Sequence, residues 1–415
     1  MHVIVVGAGI VGVCTAYYLR QLGHEVTVLE RRGGAAQETS FGNAGVIAPG
    51  YVTPWAAPGM PRKVLSYLFS TEAPVLFRPT ANPALWRWLL RWLGECRLAR
   101  YRVNKARMQR LAFYSRDELR SLSASKGIRF EHTQGYLQLF RTERDLAMNA
   151  PARAMLDEAG VPYQLLDSQA CRQLEPGRNE STPLQGGLYL PEDEAGNCPM
   201  FARSLRTIAE ENGVAFSFNR HVQRILIEGD RATGVIVDDR PVDADAIVIA
   251  AACDSVPLLN KVGVRVPIYP IKGYSATVQL EPSAVGPRHA LMDEAYKTAL
   301  TPFSNRMRIA GTAEIGDHNL DLRDAALRTL LRVANDWFPG VGRYSEAQFW
   351  VGARPMLPDG PPLLGRTRHR GLFLNLGHGS TGWAMACGSG RILADLISDR
   401  DPEISLEGLT IERYR

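Results

Sequence analysis

The apolar positions of the chain follow two rhythms, and their order predicts an α/β fold. Val3, Ile4, Val5 and Val6 form an unbroken β-branched run suited to a strand buried on both faces. Cys14 to Leu22 then keep a helical period up to Gly23, a natural C-terminal cap, and Val26 to Leu29 make a second strand. The theme returns near the C-terminus with strand Leu372 to Asn375, a glycine loop, and a helix from Trp383 to Ile397. Between them, "VAFSFNRHVQRILIEGDRATGVIVDDRPVDADAIVIAAA" alternates like antiparallel strands. It ends in the apolar run Ala246 to Ala252, which brings the chain back to the first unit.

A third pattern joins helical spacing to charge. Leu85, Trp88, Leu89, Trp92, Leu93 and Cys96 line one helix face. Residues 86–110 around them hold eight Lys or Arg against one Glu, a net +7 where the whole chain carries +5. Such a segment suits the surface of an anionic membrane. It equally suits a helix packed on the core with its basic side in water. No nucleic-acid-binding motif accompanies the charge, so nucleic acid is not an expected partner.

Composition narrows the class. A chain of 415 residues is too long for one ordinary core, so two domains are expected. The first comprises residues 1–45, 201–261 and 346–415, and the second 46–200 and 262–345. The six cysteines form no C-x-x-C pair and the eight histidines show no ligand spacing, so no metal is expected and the thiols fit a reducing cytoplasm. Residues 3–19 are largely apolar, but they lack a basic leader and are broken by Gly7, Gly9 and Gly12. No run is long enough to span a bilayer. A cytoplasmic protein is expected, with the inner face of the cell membrane as the alternative that residues 86–110 leave open.

The chemistry begins at Gly7-x-Gly9-x-x-Gly12, set between strand and helix. There the backbone can approach a pyrophosphate and the helix N-terminus can hold its charge. Glu30 ends the second strand, where a carboxylate binds ribose hydroxyls and disfavours a 2′-phosphate. Expected cofactor contacts here are Val6, Gly7, Ala8, Gly9, Ile10, Val11, Gly12, Glu30 and Arg31. The next loop, "GGAAQETSFGNAG", adds Ser40, Asn43, Ala44, Gly45 and Val46, and the returning strands add Val222 and Ala250. The C-terminal loop contributes Gly377, Gly379, Ser380, Thr381, Gly382 and Trp383. A second helix N-terminus suits a ring that becomes anionic on reduction, which a flavin does and nicotinamide does not. FAD, held noncovalently, is the expected cofactor.

Taken together, "VVGAGIVGVCTAYYL", "ETSFGNAGVIAPGYVTPWAAPG", "YPIKGYS", "GARPMLPDGPPLLGRT" and "LGHGSTGWAMACGSG" resemble the bacterial D-amino acid dehydrogenases of the FAD-dependent D-amino acid oxidase superfamily. The resemblance runs over nearly the whole chain. It implies a Rossmann-like FAD-binding domain and a mixed α+β substrate domain of the D-amino acid oxidase type. It also implies oxidation of a D-amino acid to an imino acid that hydrolyses to 2-oxo acid and ammonia, with electrons passed to a quinone or another acceptor. One departure is Ala252, where the family usually has glycine.

The resemblance carries Arg354, in "GARPMLPDG", over as the cation for the substrate carboxylate, a role that guanidinium fills bidentately. It places Tyr274 facing the flavin. Tyr51 lies just past the cofactor loop and is expected to close the other side, with Tyr296 a further candidate. His378 is a candidate base whose place in the glycine loop suggests that it lines the flavin instead. An amine bound neutral can expel its Cα hydride to flavin N5 directly, so no acid–base pair is required. Two other readings stay open. One is an oxidase of glycine, sarcosine or D-amino acids that uses oxygen, and the other is a noncatalytic FAD-binding subunit.

Overall fold

The computed structural model describes residues 1–67, 73–316 and 318–414. One sheet has six strands in the order Leu363–Arg366, Leu372–Leu376, Ala246–Ile249, His2–Val6, Glu25–Leu29 and Ala215–Ser217. All neighbours run parallel except the antiparallel edge strand Leu363–Arg366. Burial on both faces explains the unbroken apolar run at Val3–Val6. Val3 and Val5 meet the helices Ile10–Gln21, Cys198–Glu211 and Gly382–Ile397, while Ile4 and Val6 meet the meander Val222–Asp243. The helices Ile10–Gln21 and Gly382–Ile397 cross in backbone contact, since a Cβ on Gly390 would lie 2.8 Å from the carbonyl carbon of Cys14. Asn375 Nδ2 ties this crossing to the sheet by donating to Thr15 Oγ1 at 2.9 Å.

The larger sheet follows the path Gln348–Met356, Tyr269–Gln279, Arg306–Ile315, Thr298–Phe303, Ala290–Asp293, Thr133–Phe140, Gly186–Ala195 and Val46–Ile47. The strand Gln348–Met356 comes after residue 346 in the chain, yet it pairs here with Tyr269–Gln279. Alternation along Tyr269–Gln279 decides which side chains meet the other half of the molecule. Tyr274, Ala276 and Val278 pack under the helix Asp324–Trp337, among Leu330, Val333 and Trp337. Gly273, Ser275 and Thr277 face the opposite way, toward the loop that follows Glu30.

Residues 86–110 fold into two helices, Pro83–Glu95 and Leu98–Lys126, broken at Cys96 and Arg97. Asn82 caps the first through its side chain, and Pro83 opens it. Trp88 and Trp92 are buried and stacked 6.3 Å apart, and Trp88 Nε1 donates to Met356 O at 2.9 Å. Part of the expected stripe is therefore core. A second apolar row, Trp86, Leu90 and Leu93, points outward and is 46%, 70% and 46% exposed. Among the described residues no helix is long and apolar enough to cross a membrane.

Candidate active site

The first strand passes through Gly7, at φ +106°, into the helix Ile10–Gln21. A Cβ on Gly12 would lie 1.9 Å from Gly7 O, so helix and turn close only over a glycine. Gly9 at the helix start offers no side-chain cap. The Ile10 amide instead donates to Ser40 Oγ at 3.1 Å, while Val11 and Gly12 continue the first turn. The Glu30 carboxylate accepts from the amides of Ala8 at 2.7 Å and Arg32 at 2.8 Å. A carboxylate has about four lone-pair sites, so Glu30 retains acceptors for ribose hydroxyls. Ala250 follows the returning strand, and its amide donates to Val6 O. Arg31 lies on the rim, paired with Asp254 at 2.8 Å and Glu38 at 2.9 Å. Val222 begins the first meander strand and is only partly buried.

The loop after Glu30 lines the seam between the two sheets. Thr39 Oγ1 donates to Ala353 O at 2.9 Å, and Asn43 Oδ1 accepts from Gly45 N at 2.7 Å. Gly45 takes φ +85° against Phe303, which leaves no room for a Cβ, while Ala44 and Val46 pack on the core around Tyr136. The C-terminal loop meets this seam at Gly377 and Gly379, both at positive φ and pressed on Leu357 and Met356. No side chain caps the short turn Gly379–Thr381 or the helix Gly382–Ile397. Two uncapped helix N-termini thus flank one seam, with glycines where a ligand must approach backbone and an acid at the far strand. These features fit FAD.

Arg354 stands on the larger sheet beside this seam. Its guanidinium lies against Gly273 and 5.9 Å from the Trp55 ring, and its only hydrogen bonds among the described residues, to the Lys272 and Gly311 carbonyls, are long at 3.4 and 3.5 Å. Protein surrounds it closely enough to bring its pKa down to about 10 by desolvation, yet part of its surface reaches solvent. Among the described residues no carboxylate pairs with it. It is a largely desolvated cation whose charge no acid among the described residues balances.

The segment Pro49–Trp55 brings the Trp55 ring to Arg354. Gly50 N donates to Asp193 Oδ1 at 3.1 Å, and the buried Lys105 Nζ donates to Val52 O at 3.0 Å. This strap carries Tyr51, whose ring lies tilted 5.1 Å from that of Tyr136, and Trp55, whose Nε1 donates to Ser380 Oγ at 3.2 Å. Burial pushes the Tyr51 phenol up to about 12, so it stays protonated.

Four residues expected at the site have side chains engaged by protein partners. Tyr274 is on the opposite face of the sheet from Arg354, and its hydroxyl donates to Glu314 Oε2 at 2.7 Å. Glu314 also meets Lys272 at 3.0 Å and Arg323 at 2.8 Å, a buried charge cluster under the helix Asp324–Trp337. Tyr296 lies between the guanidinium groups of Arg141 and Arg332, at 4.9 and 4.6 Å. Trp383 is core, donating to Gly196 O and packed on Phe130 and Phe201. His378 is buried with Nε2 bonded to Ser389 Oγ at 2.9 Å, and desolvation lowers its pKa to about 3, which leaves a neutral imidazole committed to the helix behind it. Sequence reasoning passed over Trp55 and Tyr136. Trp55 carried a signal, since it sits four residues after Tyr51 in the motif "PGYVTPW".

Comparison with known proteins agrees with this geometry. Residues 2–396 match the family model described as FAD dependent oxidoreductase. The chain is 47% identical over 416 residues to a D-amino acid dehydrogenase of Rhizorhabdus wittichii, and 47% identical over 417 residues to one of Azorhizobium caulinodans, each covering 100% of both chains. The fold matches the crystal structure of glycine oxidase from Geobacillus kaustophilus with a TM-score of 0.78 at 21% identity, over 99% of this chain and 97% of that one. A glycine-turn cradle, a second uncapped helix at the same seam and a family match over nearly the whole length lead to one conclusion: the chain belongs to the FAD dependent oxidoreductase family.

Proposed function

We propose that the chain oxidatively deaminates D-amino acids to 2-oxo acids and ammonia, with the electrons passing to a quinone or another acceptor. The observation that carries this reading is Arg354, desolvated and without an acid partner among the described residues. Such a charge is costly unless a ligand completes it, and an amino acid carboxylate does so with two parallel hydrogen bonds. The names of the two full-length relatives support the substrate class.

FAD, when bound, supplies the two-electron acceptor. Everything else falls to positioning. Arg354 anchors the carboxylate, Trp55 shields the guanidinium from water, and Tyr51 with Tyr136 gives the opposite wall an apolar body. Holding the reacting carbon in one orientation supplies the entropic part of the barrier reduction. Neither His378, neutral and bonded to Ser389, nor Tyr51, held protonated, is placed to act as a base, which fits oxidation of an amine that binds neutral.

The same reading places a contact with the inner membrane surface on Trp86, Leu90 and Leu93, beside Arg87, Arg91 and Arg97. Exposed apolar side chains among arginines suit an anionic leaflet, where each cation contributes about 1 kcal/mol.

The decisive experiment is an anaerobic scan of D-amino acids against the holoenzyme, following flavin bleaching with the L-enantiomers as controls. Bleaching by D-enantiomers alone is expected. A protein that no D-amino acid bleaches overturns the reading.

A further inference from the structure

The face of the larger sheet that carries Arg354 holds a second recess. Pairing of Tyr269–Gln279 with Gln348–Met356 sets Ser275 opposite Trp350 and Thr277 opposite Gln348, and Thr277 also pairs with Arg308. These residues floor a cavity of about 450 Å³, closed by Phe41 and the first turns of the helix Cys198–Glu211. That volume is within the usual range for a small-molecule site. Arg354 does not line it, and neither does any residue of the glycine loops at 7–12 and 377–382.

Trp350 divides the two recesses. A Cβ on Gly352 would come within 2.1 Å of its ring and one on Gly42 within 1.9 Å, so the indole is wedged between the strand and the cofactor loop. That loop is the shared wall. Ser40 turns to the cradle and holds the Ile10 amide, while the carbonyls of Phe41 and Asn43 accept from Arg308 Nη1 at 3.0 and 3.2 Å. The loop backbone alone stands between the Ser40 contact on the cradle side and the Arg308 contacts on the recess side.

The lining has a definite chemistry. Arg203, Arg306 and Arg308 line the cavity, and among the described residues no acid does. Arg306 is paired with Glu131 outside the lining, whereas Arg308 is only 7% exposed, donates to the carbonyls of Phe41 and Asn43, lies 6.0 Å from the Phe303 ring, and among the described residues has a buried Nε with no partner. Phe41, Phe349 and Met200 each remain more than a third exposed around the mouth. Aromatic surface with cationic donors and no acid suits a flat ring that carries electronegative oxygens.

We propose that this cavity docks the electron acceptor, a quinone whose ring packs on Phe41 and Trp350 and whose carbonyl oxygens accept from Arg308 and the Ser275 and Thr277 hydroxyls. The proposal rests on the oxidoreductase reading above. In the step, two electrons and one proton leave the reduced cofactor and one further proton comes from solvent. Both quinone carbonyls become hydroxyls and the cofactor returns to its oxidised form. Amino acid and acceptor then occupy separate recesses on one sheet face.

The test titrates short-tailed ubiquinone-1 into the oxidised holoenzyme without amino acid, by calorimetry, so that binding is read apart from turnover. Thr277→Trp, which fills the recess, is expected to weaken binding at least tenfold, and Arg203→Ser about threefold. Both should be bleached by D-alanine within twofold of the wild-type rate, and Arg354→Met should bind the quinone normally. Should Thr277→Trp fail to retain FAD, Met200→Trp fills the recess from its exposed rim. Wild-type quinone affinity in the filled variant overturns the proposal while leaving the quinone-linked reading in place. No quinone binding by the wild type overturns both, and bleaching by D-amino acids would still support the deamination.

Discussion

The guanidinium of Arg354 rests on the bare Cα of Gly273, where a Cβ would come within 2.2 Å of its Cζ. Gly273 is at ordinary φ, so its small size serves close approach and not backbone freedom. Gly273→Ala should fold normally and push the guanidinium aside. A misplacement of this size costs kcat/KM for D-alanine on the order of 10²-fold. Arg354→Met should lower it by ~2–5 kcal/mol, the loss expected for one partner of a buried charge pair. Both variants should keep the flavin spectrum of the wild type, and steady-state kinetics on D-alanine decide the matter.

Tyr274→Phe separates a structural tyrosine from one that touches substrate. The lost hydroxyl hydrogen bond is to Glu314, so the variant should lose ~1–3 kcal/mol in denaturant melts. Its KM and kcat should stay near wild type. A large rise in KM with unchanged stability would return Tyr274 to the substrate cleft.

His378 makes stability depend on acid. Its pKa falls from 6.5 to about 3 on burial, so below pH 6.5 the unfolded chain binds a proton that the folded chain refuses. Stability from this group is full above pH 6.5 and drains as pH falls toward 3, by up to about 1.4 kcal/mol per unit. His378→Asn should lower stability at pH 8 but flatten its decline between pH 6 and 4, measured by urea denaturation at each pH.

Ala252, at φ +47°, occupies the left-handed region just past the returning strand. Ala252→Gly should relieve about 1 kcal/mol of strain and raise Tm. A lowered Tm would mean that the methyl packs usefully enough to outweigh the strain.

The two tryptophan rows of the helix Pro83–Glu95 should behave oppositely. Trp88→Ala removes buried surface and should destabilise by ~3–5 kcal/mol. Trp86→Ser combined with Leu90→Ser should leave Tm nearly unchanged and weaken co-sedimentation with anionic vesicles at low salt. Equal sedimentation of variant and wild type would mean that the exposed row serves no membrane contact.

What could be read without coordinates was local. The glycine spacing, the apolar run at Val3–Val6 and the acid at Glu30 lie within one strand–turn–helix unit, and each turned up as expected at that level. Arg354 was accessible only through resemblance, because the register between Tyr269–Gln279 and Gln348–Met356 creates its surroundings. Tyr274 shows the limit most plainly. It is next to Gly273 in the chain, and in a strand that one-residue offset turns a side chain to the other face. The tryptophans of residues 86–92 pose the same problem with helical spacing, since Trp86 and Trp88 sit two positions apart on different sides.

The crossing at Gly390 and Cys14 sets a length. Backbone contact locks the two helices together, so the amides at their N-termini stay a fixed distance apart whatever binds there. A ligand that reaches both ends gains the second contact at high effective concentration, and one that reaches a single end does not. The helix pair thereby acts as a ruler that ranks flavins by span. Riboflavin, which ends before any phosphate, can satisfy one mark on it, and a flavin that carries its phosphate can satisfy two. Selection against the short, phosphate-free flavin would then reside in a glycine buried between helices.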